Sequence, residues 1–258
     1  MSDTADTSSA PLLTLTGPRA TIRLNRPRHL NRLQPDDLTV LMAHFDQIEQ
    51  DPAIRVMVLT GTGRAFSAGF DLGSLGKSNA SSDAPPPTFE AVANRLEDLA
   101  LPTICRLNGG VYGGATDLAL ACDFRIGVDT GEMFMPAARL GLHYYPDGIR
   151  RYVSRLGADN ARKLFLTAQK IEATEMLRIG YLTAMTPHDA LDEEVDRLAD
   201  ILAANAPTAM RGMKRAINEF ARGEFDAASA YQRSADSMKS DEIREGMAAF
   251  KEKRVPKF

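Results

Sequence analysis

Residues 103–123 constrain the fold of this chain more than any other segment. An apolar run of strand length ends at Leu107, a glycine-rich break follows, and residues 115–122 continue as a run rich in alanine and leucine. The second run is apolar on nearly all sides, which predicts a buried helix. The segment therefore predicts a strand, a glycine turn and a helix in immediate succession, as in α/β proteins.

The glycine break also has the chemistry of a binding site for negative charge. Gly109, Gly110, Gly113 and Gly114 permit positive φ angles and a close approach of a ligand to the main chain. The first backbone N–H groups of a helix lack intrahelical partners and lie at the positive end of its dipole. Such a position binds a phosphate, a carboxylate or an enolate oxygen. A tight packing turn, with Asp117 as a favourable charge in the first helical turn, explains the same residues equally well.

Composition narrows the class of protein. The 258 residues are 44% hydrophobic and 25% charged, with a net charge of −3, which is typical of a globular protein and does not favour nucleic-acid binding. Cys105 and Cys122 lie in apolar surroundings, so we expect buried free thiols and a cytoplasmic protein. The four histidines lack metal-ligand spacing, and no metal site is predicted. Residues 1–10 are predicted to be disordered without a targeting signal, and no apolar run is long enough to cross a membrane.

Strand and helix patterns alternate to about residue 145, and helical patterns dominate afterwards. A hairpin is predicted around Gly17-Pro18, a helix from Pro35 to about residue 50, and a buried strand over residues 55–60. Further strands are predicted at 124–128 and 132–134, before an aromatic loop at 143–148. The remaining helices are predicted at 88–100, 158–167, 173–179, 191–205, 208–222, 225–239 and 243–253.

Two motifs of other enzyme classes are excluded, a dinucleotide-binding fingerprint and a serine nucleophile elbow. The glycines near Gly61 lack the third glycine and the acidic strand end of a dinucleotide-binding fingerprint. Ser67 lacks the glycine two residues earlier that a serine nucleophile elbow requires, so it is not predicted to be a nucleophile.

Four motifs in order resemble those of the crotonase family, the enoyl-CoA hydratases and isomerases. They are Arg26-Pro27 with Asn31, residues 58–72, residues 108–123, and Gly141-Leu142 with the stretch 163–180. The resemblance covers essentially the whole chain. It implies an α/β fold, a spiral of ββα units over residues 11–195, followed by a C-terminal helical trimerisation region over 196–258. A homotrimer or a dimer of trimers is therefore expected.

The resemblance also implies a site for an acyl-CoA substrate. The backbone N–H groups of Phe70 and Gly114 would form an oxyanion hole around the thioester oxygen. The adenine of CoA would lie along residues 68–72, which include Ala68, Asp71 and Leu72. The phosphates would meet basic side chains, for which the candidates are Arg28, Arg32, Lys253 and Arg254; plain surface charge is the alternative for each. No tightly bound cofactor is implied, because coenzyme A arrives as part of the substrate.

The chain departs from the family at both catalytic glutamates, where it has Asp117 and Ala137. Aspartate reaches about 1.5 Å less far than glutamate, and alanine cannot act as an acid or base. Hydration by two carboxylates is therefore compromised. Isomerisation needs one base that lifts a proton and returns it, so we expect Asp117 to support isomerisation or an atypical hydration.

Two alternatives remain open. A tyrosine on the loop with Tyr144 and Tyr145 resembles the decarboxylases of the family, and Asp147 would replace the missing base if this loop shifts, although a plain Pro-Asp-Gly turn also explains it. A CoA-thioester-binding protein with little turnover is the third possibility. The walls of the acyl pocket are expected near Phe89, Tyr112, Phe134 and Tyr144.

Overall fold

The computed structural model describes residues 9–71, 73 and 86–258. The predictions for residues 1–8 and for Leu72 fall outside the described residues. The described strands are β1 (Leu12–Thr16), β2 (Arg19–Leu24), β3 (Val56–Gly61), β4 (Ala65–Ser67), β5 (Thr103–Leu107), β6 (Gly110–Tyr112), β7 (Phe124–Val128), β8 (Glu132–Phe134), β9 (Ile171–Glu172) and β10 (Ala184–Thr186). The α-helices are α1 (Pro35–Gln50), α2 (Phe89–Asp98), α3 (Gly114–Ala121), α4 (Pro146–Leu156), α5 (Ala158–Thr167), α6 (Ala173–Arg178), α7 (Leu191–Ala204), α8 (Pro207–Arg222), α9 (Ala227–Ser237) and α10 (Asp241–Glu252).

The strands form two sheets, and successive strand pairs contribute one strand to each. The larger sheet has the order β1-β2-β3-β5-β7-β10, and the smaller sheet has the order β4-β6-β8-β9. β3, β5 and β7 enter the larger sheet, while β4, β6 and β8, which follow them in the chain, enter the smaller one. Helix α2 follows the first pair, α3 the second, and a short 3₁₀ helix (Ala137–Leu140) the third. This repetition of ββα units confirms the predicted spiral α/β fold.

Strand β3 is buried along its whole length, as its unbroken apolar sequence predicts. Met57 and Leu59 point into the main core, which contains α1 and α3. Val56 and Val58 point the other way, into a smaller core closed by Leu191, Val195, Ala199 and Leu202 of α7. The larger sheet is therefore covered on both faces.

Helix α1 begins and ends where its sequence signals place it. Pro35 occupies the first turn, and the carboxylate of Asp37 accepts a hydrogen bond from the Gln34 backbone N–H at 2.8 Å. Leu38, Leu41, Phe45 and Ile48 form the buried face that the periodicity predicts.

Two local predictions need correction. Residues 143–148 are not one loop, because α4 begins at Pro146, so the interpretation of Pro-Asp-Gly as a plain turn is wrong. Proline at the first helical position with an acidic residue beside it is a helix-start signal. Position 148 requires glycine, because a Cβ there would lie 2.3 Å from the Tyr144 ring. The glycine break at 108–114 also contains the three-residue strand β6, which was not predicted.

Among the helices that the structure describes, none combines the length and apolar character of a membrane span. The described part of the chain also contains no group of three or more His, Cys, Asp or Glu side chains arranged to hold a metal ion.

Candidate active site

Two backbone amides are held in fixed orientations by hydrogen bonds to the carbonyl of their own peptide group. The Gly69 carbonyl accepts a bond from the Leu33 N–H at 2.8 Å. The Gly113 carbonyl accepts bonds from the backbone N–H of Thr116 at 3.0 Å and from its hydroxyl at 2.6 Å. In a planar trans peptide the N–H points away from the C=O. The N–H groups of Phe70 and Gly114 are thus directed away from these bonds, and neither donates to an acceptor within the described residues.

The two loops that carry these amides touch each other at Gly69. Its φ is +85°, and a Cβ on Gly69 would lie 2.7 Å from the Tyr112 carbonyl oxygen and 2.9 Å from the Gly114 nitrogen. Heavy atoms of L residues do not come this close, so the contact requires glycine. The amides of Phe70 and Gly114 are therefore held close together by this contact between the two loops.

Buried polar side chains fix the loop before Phe70. The Ser67 hydroxyl donates to the Asn31 carbonyl at 2.7 Å and accepts from the Gly69 N–H at 3.0 Å. The Asn31 side-chain amide donates to the carbonyls of Thr62, Ala65 and Phe66 at 2.9–3.1 Å. Ser67 therefore stabilises the conformation of this loop through its two hydrogen bonds.

Aromatic rings adjoin the amides. The Phe89 ring covers Gly114 so closely that a Cβ on that glycine would lie 3.0 Å from it, and its centroid is 6.0 Å from that of Phe70. Of the other predicted wall residues, Tyr112 donates through its hydroxyl to Glu132 at 2.9 Å, and Phe134 lies under the Arg139 guanidinium at 5.3 Å.

Asp117 lies fully buried in the first half of α3 and is one member of an ion pair. Its Oδ1 accepts from Nε of Arg151 at 3.0 Å, and its Oδ2 accepts from Nη2 of Arg151 at 3.2 Å. The hydroxyl of Tyr145 also donates to Oδ2. Both carboxylate oxygens are therefore occupied, because the guanidinium donates to each of them and the phenol also donates to Oδ2.

Tyr144 and Tyr145 form a stacked pair above this carboxylate. Their ring centroids are 4.3 Å apart, and the Tyr144 hydroxyl donates to that of Tyr145 at 3.3 Å. Burial raises the pKa of both phenols, and the nearby charge of Asp117 raises it further. Both tyrosines therefore keep their protons at neutral pH and act as hydrogen-bond donors.

Arg151 extends the site into a buried charge network that the sequence did not reveal. Its Nη1 donates to Glu97 at 2.8 Å, and Glu97 also accepts from Arg150 at 2.6 Å and from Arg222 of α8 at 3.1 Å. Burial by itself raises the pKa of Glu97, but the surrounding arginines outweigh it and lower the pKa to about 2. Glu97 is therefore a carboxylate that holds Arg151 in place behind Asp117.

Asp147 lies at the side of this network. Its carboxylate accepts from the Asn94 side chain at 2.7 Å and is 3.6 Å from Nε of Arg150. Asn94 in turn accepts from Nη2 of Arg151 at 3.1 Å, which makes an indirect connection to Asp117. Ala137, the residue at the second glutamate position, is buried and brings no charge.

Three residues predicted to contact CoA lie next to the first amide. Ala68 is half-buried and donates its N–H to the Leu30 carbonyl at 2.7 Å. Asp71 and Arg32 form an ion pair with a 3.4 Å separation. The structure therefore brings Ala68, Asp71 and Arg32 together beside Phe70.

The other predicted basic residues are spread along the surface. Arg28 is exposed in a short 3₁₀ helix (Pro27–His29). Lys253 is exposed just beyond α10, and Arg254 forms ion pairs with Glu245 and Glu252.

A sequence model of the family described as "Enoyl-CoA hydratase/isomerase" matches residues 19–258. The chain belongs to this family. The match spans both glycine-containing loops, α3 and α4, and it confirms the crotonase resemblance.

Individual relatives in the enoyl-CoA hydratase/isomerase family also match nearly the whole length of the chain. The short-chain-enoyl-CoA hydratase of Clostridium acetobutylicum is 31% identical, over 92% of this chain and 93% of its own. The carnitinyl-CoA dehydratase of Salmonella typhi is 30% identical, over 95% and 96%. The crystal structure of an enoyl-CoA hydratase from Bacillus anthracis superposes with a TM-score of 0.86 at 30% identity, covering 96% of this chain and 98% of that one.

Proposed function

We propose that this family member acts on an acyl-CoA thioester and stabilises its enolate between the N–H groups of Phe70 and Gly114. The observation that carries the proposal is this pair of amides, which have no acceptor among the described residues. Each is directed by a bond to its own peptide carbonyl, and the two loops meet at Gly69. A donor aimed at a developing oxyanion is typically worth ~2.7–4 kcal/mol to the transition state. Two such donors make proton removal next to the thioester feasible.

Asp117 is the proposed proton-transfer residue, acting through Tyr145. As the bond between hydrogen and the substrate carbon breaks, the Tyr145 oxygen takes that proton and passes its own proton to Asp117, and the electron pair moves to the thioester oxygen. Reversal at another carbon completes an isomerisation. Because Ala137 supplies no second carboxylate, isomerisation or atypical hydration is favoured over two-glutamate hydration.

The occupied carboxylate of Asp117 favours a second candidate, a decarboxylase or another lyase that uses Tyr144 and Tyr145, with Asp147 in the first turn of α4. Arg151 donates to both oxygens of Asp117 and Tyr145 donates to one of them, so neither oxygen is free to bond to a substrate directly. Decarboxylation needs no base, since the departure of CO₂ itself leaves the enolate. A protonated phenol then supplies the proton that the product requires, and both tyrosines keep theirs.

Initial rates with crotonyl-CoA, a 3-enoyl-CoA and a malonyl-type CoA separate these reactions. We expect the 3-enoyl-CoA to be converted fastest, because one proton-transfer group suffices for it. Fastest loss of CO₂ from the malonyl-type ester would establish the lyase alternative. Binding of all three without turnover, unchanged by Asp117→Ala, would identify a CoA-thioester-binding protein. An absence of both binding and turnover would contradict the whole proposal.

The CoA moiety is proposed to lie beside the first amide. Ala68 and Asp71 would line the adenine, and Arg28, Arg32 and Lys253 are the candidates for the phosphates. The proximity of Arg32 and Asp71 to Phe70 supports this placement. CoA enters as part of the substrate, and no tightly bound cofactor is proposed.

The C-terminal region, residues 196–258, is proposed to assemble the chain into a homotrimer or a dimer of trimers. Its helices expose large apolar side chains, namely Met213, Ile217, Phe220, Met247 and Phe250. Exposed apolar surface of this kind marks interaction sites. We propose the cytoplasm as the compartment, because both cysteines are buried free thiols.

Light scattering after size-exclusion chromatography tests the assembly. We expect a mass of three or six chains, and a smaller mass for Phe250→Ser, because Phe250 is the most exposed of these side chains at 84%. Leu12→Ser, which changes an exposed leucine on the edge strand β1, is the control and should leave the mass unchanged. A monomeric unaltered protein would contradict the proposal.

A further inference from the structure

A line of hydrogen bonds runs through the buried interior to the peptide group that carries the Gly114 amide. The Tyr152 hydroxyl donates to Oγ1 of Thr116, and the Thr116 hydroxyl donates to the Gly113 carbonyl at 2.6 Å. Tyr152 and Thr116 are both fully buried. The Gly113 carbonyl belongs to the same peptide unit as the Gly114 N–H.

The direction of this line is fixed. Burial raises the pKa of the Tyr152 phenol, and the charge of Asp117 raises it further. Tyr152 therefore keeps its proton and is the hydrogen-bond donor. The Thr116 oxygen accepts that bond, which leaves its single hydroxyl proton for the Gly113 carbonyl. Each donor in the line therefore polarises the next one towards the peptide group.

We propose that Thr116 and Tyr152 are positioning residues that orient and polarise the Gly114 N–H as a donor to the thioester oxygen. A bond to a peptide carbonyl draws electron density away from its N–H, and bonds in a chain strengthen one another in a low-dielectric interior. The bond also fixes the plane of the peptide and hence the direction of its N–H. This inference rests on the proposed function and adds residues that do not touch the substrate.

The chain offers an internal control for this role. The hydroxyl of Tyr181, another fully buried tyrosine, donates to the main-chain carbonyl of Thr116 at 2.8 Å. That carbonyl belongs to the peptide of Asp117, not to the peptide of Gly114. Tyr181→Phe and Tyr152→Phe therefore each remove a buried hydroxyl that contacts Thr116, but only Tyr152→Phe interrupts the line to the Gly113 carbonyl.

The carbonyl stretching band of bound butyryl-CoA, labelled with ¹³C at the thioester carbon, reports this polarisation directly. In the unaltered protein we expect a shift to lower frequency relative to the free ester. The shift should be smaller in Thr116→Val and Tyr152→Phe, but preserved in Tyr181→Phe and restored in Thr116→Ser, which keeps the hydroxyl. We also expect kcat of Thr116→Val to fall about tenfold, the equivalent of one hydrogen bond, with little change in the Kd for butyryl-CoA.

The outcomes separate this inference from the proposed function. Equal band shifts in the unaltered protein, Thr116→Val and Tyr152→Phe would overturn the positioning role and leave the proposed function standing. An equally reduced band shift in Tyr152→Phe and Tyr181→Phe would mean that Tyr152 contributes only packing, and would also overturn the positioning role. Failure of the unaltered protein to bind butyryl-CoA would overturn the proposed function itself. If Thr116→Val does not fold, Tyr152→Phe gives the same readout with Thr116 in place.

Discussion

Asp117→Asn is expected to lower kcat for the preferred acyl-CoA ester about 100- to 10,000-fold, the range of general acid–base catalysis. Asparagine keeps the shape of the side chain but cannot take up the proton that Tyr145 passes on. Its NH₂ group must also face a donor, because Arg151 donates to both oxygens of the present carboxylate and Tyr145 donates to one of them. Steady-state rates with the best of the three test esters test this expectation. The unfolding temperature of each variant is measured as well.

Glu97→Gln is the matched control for that experiment. Glu97 is buried and bonded to the same guanidinium, but it is separated from Tyr145 by Arg151. We expect both variants to lose stability, because each leaves part of a buried charge unpaired, while only Asp117→Asn loses most of its turnover. A kcat for Asp117→Asn close to that of the unaltered protein would contradict proton transfer by Asp117 and leave the chemistry to the Tyr144/Tyr145 loop.

Gly69→Ala is expected to reduce kcat about 100- to 1,000-fold, the loss measured when an oxyanion donor is removed. The new methyl group would meet the Tyr112 carbonyl at 2.7 Å and the Gly114 nitrogen at 2.9 Å, so the two loops must move apart. Separation changes the distance between the amides of Phe70 and Gly114, which then no longer bind one oxygen together. The measurement is again kcat, with circular dichroism to verify folding.

Gly157→Ala separates this effect from simple backbone strain. Gly157 has φ +81°, almost the same as Gly69, but an added Cβ would meet nothing within 4 Å. We expect a cost in stability at both positions, with loss of turnover at Gly69 alone. Full activity of Gly69→Ala would show that the two amides do not cooperate.

Features encoded in short sequence segments were predictable. The apolar spacing of α1 and the unbroken apolar run of β3 indicate buried elements directly, and the glycine pattern places Gly114 and Asp117 at the start of a helix. Strands β4 and β6 are three residues long, too short for a pattern of alternation to appear. Their partners lie in the smaller sheet, so tertiary pairing creates them.

Contacts across long separations were not predictable. Arg151 lies 34 residues from Asp117, and Tyr152 lies 36 residues from Thr116. No local pattern distinguishes these two residues from the other charged and aromatic positions of α4, a helix whose first turn was itself mistaken for a loop. The departures from the family at Asp117 and Ala137 were visible in the sequence, but the guanidinium that holds Asp117 became apparent only in the fold.

The Arg151 guanidinium bonds carboxylates on two helices at once, Asp117 of α3 and Glu97 of α2. Installing the two-glutamate arrangement by substituting residues 117 and 137 would therefore lengthen an acid that this cation already bonds and add a new acid at a second buried position. A new buried charge without its own partner carries a large desolvation cost. Conversion of this chain into a two-glutamate hydratase therefore has to begin with a change at Arg151, before the glutamates are introduced.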